Sequence, residues 1–274
     1  MVIVIGGPGG TGSSTIAKKV AEVLDCQRVY GGALMRWMAM YWKNHGDLPD
    51  LYHLEPNEIL TTDSPTAETK ALQDQALADF LRSEICQTGI VDTLIDDTLI
   101  RFAIEAQKAG INIVIESKVN PFRHFELDEL DNVSDENILR YWVCASLEQR
   151  AHRKVASSGV NTSSSQGEFE SRSQTRVEYL AAARSHYARR QFSDCLRYRG
   201  LYGVRSPIDP DVFDQLRSDD QIDQKDLQEL ETEYRRSGTS LDEERLRVNF
   251  LSNERPEDID RCVATILSDI RDKY

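Results

Sequence analysis

Gly7 to Ser14 reads GPGGTGSS, the spacing G-x-x-x-x-G-K-[ST] of a phosphate-binding loop, with Ser13 standing where the lysine belongs. Glycines at 7, 9, 10 and 12 permit positive φ, so backbone N–H groups can turn to one side and line a cradle for phosphate oxygens. A helix starting beside that cradle adds unpaired N–H groups and the positive end of its dipole. Ser14 occupies the position of the motif's Mg²⁺-binding hydroxyl. The competing reading is a tight strand-to-helix turn. An apolar β-branched run before the loop and a helical pattern after it favour phosphate.

Three further groups could do chemistry. Arg36 lies one turn into a helix after a Gly31-Gly32 turn, where a phosphate contact and a solvated arginine are both open. Glu116-Ser117-Lys118 follows an apolar run, and open α/β sheets place ligand chemistry at the C-terminal ends of strands. Residues 150–202 hold ten basic side chains against four acidic ones in a chain of net charge −13. That concentration, around a Ser/Gly-rich loop at 157–167, favours an anion-binding lid over an exposed helix with solvated arginines.

The elements that must position these groups alternate strand and helix. Strands are expected at 2–5, 27–30, 111–115, 138–144 (interrupted by Arg140) and 246–251. Helices are expected from Ser13, at 33–42, about 70–87, about 94–109 and after Pro256, with apolar residues recurring on one face of each. Residues 44–70 are polar and turn-rich and read as mobile. From Pro207 to Arg247 the charge reverses, with thirteen acids and six bases; Leu227, Leu230 and Tyr234 mark a short amphipathic helix, and the stretch reads as an insertion forming a solvated surface excursion.

Composition excludes several classes. With 40% hydrophobic and 29% charged residues the chain is expected to be soluble and globular. Its net negative charge argues against nucleic-acid or anionic-membrane binding, and no stretch approaches a membrane span. Cysteines 26, 86, 144, 195 and 262 form no C-x-x-C pair, and the five histidines show no metal-ligand spacing. Scattered thiols and the lack of a positive n-region before the first apolar run lead to the expectation of a cytoplasmic protein.

The order of these blocks carries a resemblance. GGPGGTGSSTIAKKVAEVL followed by YGGALMRWMA resembles the opening of a cytidylate kinase, of the archaeal-type branch of P-loop nucleoside monophosphate kinases. The likeness continues at IDDTLIRFAIEAQKAGINIVIESKV, ASLEQRAHRKV, RYRGLYGV and VNFLSNERPEDIDRCVATIL, and covers most of the chain outside 44–75, 157–170 and 206–245. It implies a three-layer α/β/α P-loop NTPase fold with a mainly five-stranded parallel sheet, an arginine-rich helical lid and an acidic insertion. A single domain, 1–274, is expected: core at 1–43, 88–156 and 246–274, acceptor-binding region at 31–90, lid at 150–202, insertion at 206–245.

The activity implied is ATP-dependent phosphoryl transfer, with Mg²⁺, to a nucleoside monophosphate, CMP or dCMP. Gly7, Pro8, Gly9, Gly10, Thr11, Gly12, Ser13, Ser14 and Thr15 would bind ATP, with Ser14 on the metal. Gly32, Arg36, Asp96 and Lys118 would hold the acceptor, Arg36 at its α-phosphate and Asp96 orienting the nucleoside. Glu116 would act near the metal through water, and Arg150, Arg153, Arg172 and Arg176 would close on the transferring phosphoryl group. Three positions depart from the family pattern: Ser13 replaces the loop lysine, Ser117-Lys118 replaces Gly-Arg, and the acidic insertion offers a surface for a protein partner or regulation. Phosphorylation of another small acceptor and non-catalytic nucleotide binding remain alternative functions.

Overall fold

Four consecutive apolar residues, Val2 to Ile5, are fully buried in β1 (Val2–Gly6), as a strand covered on both faces requires. The computed structural model describes residues 1–51, 54, 67–118, 120–123, 137–157, 169–203, 206–237 and 247–273; side chains at 67–71, 87, 169–176 and 236–237 also fall outside the description. Most of the loop expected at 157–167, and residues 52, 53 and 55–66 of the segment expected at 44–70, lie outside these residues.

After β1 come α1 (Ser13–Val23), β2 (Gln27–Tyr30), α2 (Gly31–His45), α3 (Ala67–Arg82), α4 (Glu84–Gln87), α5 (Ile90–Lys108) and β3 (Ile113–Glu116). A 3₁₀ turn at Asn120–Phe122 precedes β4 (Ile138–Cys144), α6 (Leu147–Ser157), α7 (Phe169–Tyr202), α8 (Pro210–Leu216), α9 (Gln224–Ser237), β5 (Val248–Ser252) and α10 (Asp258–Lys273). The strands form one five-stranded parallel sheet, ordered β2-β3-β1-β4-β5 and flanked by helices, an α/β architecture. In register, Ile5 and Tyr30 both pair with Glu116, so three strands end together where the sheet offers its C-terminal edge.

Two of the expected boundaries move for identifiable reasons. Ile111 does not join β3, because its N–H bonds to Ala106 O at 2.8 Å while that of Gly110 bonds to Gln107 O at 3.1 Å. This paired capping pattern consumes Ile111 in ending α5. The helix expected over 70–87 breaks at Ser83, whose Oγ accepts from Cys86 N at 3.4 Å and starts α4. Arg140, the polar interruption in the fourth strand, is 1% exposed within β4 and donates to the Arg123 carbonyl at 3.4 Å.

The chain divides into two units, Met1–Gly6 with Ala17–Tyr141, and Gly7–Ile16 with Trp142–Tyr274. The first has a core built from β1, β3, α2, α3 and α5, including Val4, Met38, Phe80, Leu99, Phe102 and Ile115. In the second, Val212, Phe213, Leu216 and Leu227 of the acidic segment pack with Leu147, Tyr187 and Phe192. Over its described residues, 207–237, the segment is therefore not the solvated excursion its charge implies. Asp211, Asp214, Asp226 and Glu229 are exposed on α8 and α9, while Val212, Phe213, Leu216 and Leu227 of the same two helices are buried.

Candidate functional site

The glycine loop is held from outside by its carbonyls. Arg150 Nε donates to Gly9 O at 2.9 Å, and Arg153 Nη1 donates to Gly10 O at 3.3 Å and Thr11 O at 3.1 Å. Asn253 Nδ2 reaches the same Thr11 carbonyl at 2.6 Å. In a planar trans peptide the N–H points opposite to the C=O, so the N–H groups of Gly10, Thr11 and Gly12 are turned away from the guanidiniums. The Thr11 N–H closes a turn on Pro8 O at 3.3 Å, with Thr11 Oγ1 on the same oxygen at 2.8 Å. Gly10 and Gly12 have φ of 85° and 90°, a conformation costly for residues with a Cβ. A Cβ on Gly12 would also lie 2.5 Å from Asn253 Nδ2. Ser13 begins α1, and Ser14 and Thr15 are exposed in its first turn. The N–H groups of Gly10 and Gly12 thus face away from the two arginines, beside the N-terminus of α1.

Of the four lid arginines expected from the sequence, Arg150 and Arg153 are brought to the loop, while the side chains of Arg172 and Arg176 lie outside the described residues. Arg150 is 1% exposed, and besides Gly9 it donates to Gln191 Oε1 at 2.5 Å and Tyr187 O at 3.4 Å. Its guanidinium also sits 5.1 Å from the Tyr187 ring centroid. Burial lowers its pKa to about 10, which leaves it charged at neutral pH. Arg153, half-buried, is likewise lowered by burial, and its Nη2 donates to Asn253 O at 2.7 Å. Both cations thus shape the cradle from behind its carbonyls.

Sequence reading missed Asn253, Tyr187 and Arg190 as members of this site. A Cβ placed on Gly9 would lie 3.6 Å from Arg190 Nη1, so that exposed guanidinium stands over the loop. Arg184, Arg189, Arg197 and Arg199 of the same helix pair with Glu148, Asp219, Asp194 and Glu233. Among the described residues no ion pair engages Arg190. His186 is pushed down chiefly by burial, with the charges of Arg190 and Lys154 adding to it. One signal in the sequence could have singled out Arg190: Tyr187, Arg190 and Gln191 are three and four residues apart and share a helix face.

In the first unit, Arg36 Nη1 donates to Gly32 O at 3.2 Å, which brings those two acceptor candidates together at the start of α2. Asp96 is 7% exposed and accepts from Ser117 Oγ at 3.2 Å. Ser117 Oγ in turn accepts from Asn120 N at 3.2 Å, and Asn120 Nδ2 donates to Asp96 O at 3.4 Å. Ser117, where the resembled pattern has glycine, therefore fixes one oxygen of Asp96. Glu116 ends β3, half-buried, and Lys118 follows two residues later. Among the described residues no group of three or more His, Cys, Asp or Glu could hold a metal ion. Mg²⁺ commonly keeps water and phosphate oxygens as ligands, so the Ser14 hydroxyl at the cradle fits an ion that binds with a nucleotide. Also among the described residues, no helix is long and apolar enough to cross a membrane.

No family model matches the chain. Among solved structures, it is similar to a candidate kinase from Chloroflexus aurantiacus, with a TM-score of 0.42 and 11% identity over 100% of this chain and 97% of that one. TT1252 from Thermus thermophilus gives a TM-score of 0.40 and 17% identity, over 98% of this chain and 97% of that one. Among curated proteins, the chain is similar to a cytidylate kinase of Methanopyrus kandleri, 26% identical over 216 residues that span 78% of this chain and 82% of that protein.

Proposed function

We propose that this protein is a P-loop kinase that transfers the γ-phosphoryl group of ATP to a nucleoside monophosphate, CMP or dCMP, giving ADP and the diphosphate. The observation that carries this reading is the loop itself, whose carbonyls at Gly9, Gly10 and Thr11 are tied down by Arg150, Arg153 and Asn253. The N–H groups of Gly10 and Gly12 are then available to phosphate. The similarity to the Methanopyrus kandleri cytidylate kinase supports the acceptor class.

In this reading the loop backbone from Gly9 to Ser14 grips the donor phosphates. Ser14 would hold Mg²⁺, which would supply neutralisation of phosphate charge, and Glu116 would act toward it through water. Arg36, beside Gly32, binds the acceptor's phosphate, with Asp96 and Lys118 orienting the remainder. Arg190, and Arg172 and Arg176 on the same helix, supply positive charge to the equatorial oxygens in place of the missing lysine. Phosphoryl transfer asks mainly for such positioning and charge, with little covalent work by the protein. We assign the reaction to the cytoplasm.

A second reading, phosphorylation of a different small acceptor on the same scaffold, is favoured by Ser117 and its bond to Asp96. Purified protein, ATP and Mg²⁺ assayed with CMP, dCMP, UMP, AMP and non-nucleotide acceptors tests both. Turnover with CMP or dCMP above the others supports the first, and turnover with another acceptor alone selects the second. ATP binding without turnover on any acceptor would sink both and leave a nucleotide-binding protein.

A further inference from the structure

We propose that Gln191 is a positioning residue that carries the hold of the acidic segment onto the phosphate loop, so that the shape of the donor cradle depends on that segment being docked. The proposal deepens the reading of the loop as a donor-phosphate site and rests on it for its kinetic consequence. Gln191 is 5% exposed on α7, and its amide works in both directions. Oε1 accepts from Arg150 Nη1 at 2.5 Å, while Nε2 donates to Pro207 O at 3.3 Å. Arg150 continues the path to Gly9 O at 2.9 Å. Four groups therefore link in series: the Pro207 carbonyl at the start of the acidic segment, the Gln191 amide, the Arg150 guanidinium and the loop.

An amide is the side chain that meets this demand, since it offers an acceptor and a donor at once. A carboxylate would set an acceptor against the Pro207 carbonyl. The first link is anchored by the segment beyond it. Ile208, Val212 and Phe213 are buried in the cluster that includes Tyr187 and Phe192. Asp209 joins the segment to α6, which carries Arg150: Oδ1 accepts from Asp211 N at 3.0 Å and Oδ2 from Leu147 N at 2.8 Å. The acids are used here as well, with Asp219 on Arg189 at 2.6 Å and Glu233 on Arg199 at 3.0 Å. The charge that reads as an external surface in the sequence instead fastens the segment to α7, and the amide transmits the result.

The test is Gln191→Met in the full chain, read first by hydrogen exchange without nucleotide. Peptides covering 7–16 should exchange faster than in the wild type, with those of α2 unchanged. The kinetic readout is a split, the KM for ATP rising about tenfold with the acceptor KM held, because only the donor cradle is loosened. The double variant Gln191→Met/Arg150→Met should be no worse than Arg150→Met alone, as expected of residues acting in series. Wild-type loop exchange in folded Gln191→Met, or additivity in the double variant, would overturn the proposal. Should Gln191→Met not fold, Gln191→Glu keeps the acceptor for Arg150 and loses the donor to Pro207, and unchanged loop exchange there overturns it equally. A wild type that binds no ATP removes the nucleotide reading, while loop exchange still decides the role of Gln191.

Discussion

Asn253 and Thr11, 242 positions apart in the chain, are joined by a 2.6 Å hydrogen bond from the Asn253 amide to the Thr11 carbonyl. The Asn253 backbone is fixed from the other side, its N–H on Cys144 O at 2.8 Å and its carbonyl accepting from Arg153 at 2.7 Å. The residue is fully buried, so the loop's outer face is a sealed polar contact rather than a wet one. Asn253→Ala removes the shorter of the two hydrogen bonds to the Thr11 carbonyl, leaving Arg153, and opens space beside Gly12. Losing a buried bond of this kind costs about 1–3 kcal/mol. Chemical denaturation should show that loss, and the KM for ATP should rise while the acceptor KM stays. A variant equal to the wild type in both would detach Asn253 from the cradle.

Arg190 stands over Gly9 in a position to supply the charge that Ser13 lacks. Arg190→Ala should lower kcat by about 10²-fold, the usual effect of removing one charge-stabilising donor at a transition state. Adding Ser13→Lys to that variant should recover part of the rate, since a lysine at this loop position reaches the β- and γ-phosphates in complete P-loops. Steady-state kinetics on the four proteins of this cycle decides the matter. Full activity in Arg190→Ala places the compensating charge elsewhere on the lid.

The strands and the loop were legible in the sequence because each leaves a local mark, whereas the order of the strands in the sheet leaves none. Val2 to Ile5 reads as a buried parallel strand, and the glycines at 7, 9, 10 and 12 advertise the positive φ that Gly10 and Gly12 adopt. What holds the loop was not legible. Asn253 is one asparagine in a C-terminal stretch, and only the pairing in space with Thr11 gives it meaning. Arg150 was read by charge as a lid cation, yet its burial at 1% depends on Tyr187 and Gln191 arriving from another helix. The acidic segment misled for a similar reason. Thirteen acids dominate its composition, whereas its fate is set by a few apolar positions, Val212, Phe213, Leu216 and Leu227, that recur at helical spacing.

That segment yields a direct stability prediction. Phe213 is 3% exposed, packs in the cluster with Phe192 and Tyr187, and has the Tyr234 ring 5.8 Å from its own. Truncation of a buried phenylalanine costs about 3–5 kcal/mol, so Phe213→Ala should move the denaturation midpoint strongly. Asp220→Ala, at an exposed acid between α8 and α9, should leave it nearly unchanged. Removing 210–240 altogether should expose the apolar face of α7 and abolish cooperative unfolding of the second unit. A deletion variant that melts like the wild type would restore the segment to the status of a surface excursion.

Asp258 makes the acid end of the stability profile testable. Its Oδ2 accepts from the N–H groups of Glu254 at 3.0 Å and Arg255 at 2.9 Å, and Oδ1 lies 3.3 Å from Arg255 and 3.1 Å from Arg261. The Arg255 N–H is the main cause that holds this carboxyl below its ordinary value, with the Glu254 N–H and the two arginine charges adding to it. Because the folded pKa lies below the unfolded one, the stabilisation is fully present above the ordinary carboxylate range. It is lost as pH falls through the depressed folded value. Asp258→Asn cannot accept two N–H bonds with a charged oxygen, so it should be less stable than the wild type at pH 7. The gap should close as the wild-type carboxyl protonates, below about pH 4. Urea midpoints measured for both proteins across this range check the sign; a gap that stays constant to low pH would mean the contribution is packing rather than charge. The same turn carries Asn253, so the KM for ATP should rise in Asp258→Asn at neutral pH, tying an acid-sensitive cap on α10 to the hold on Thr11.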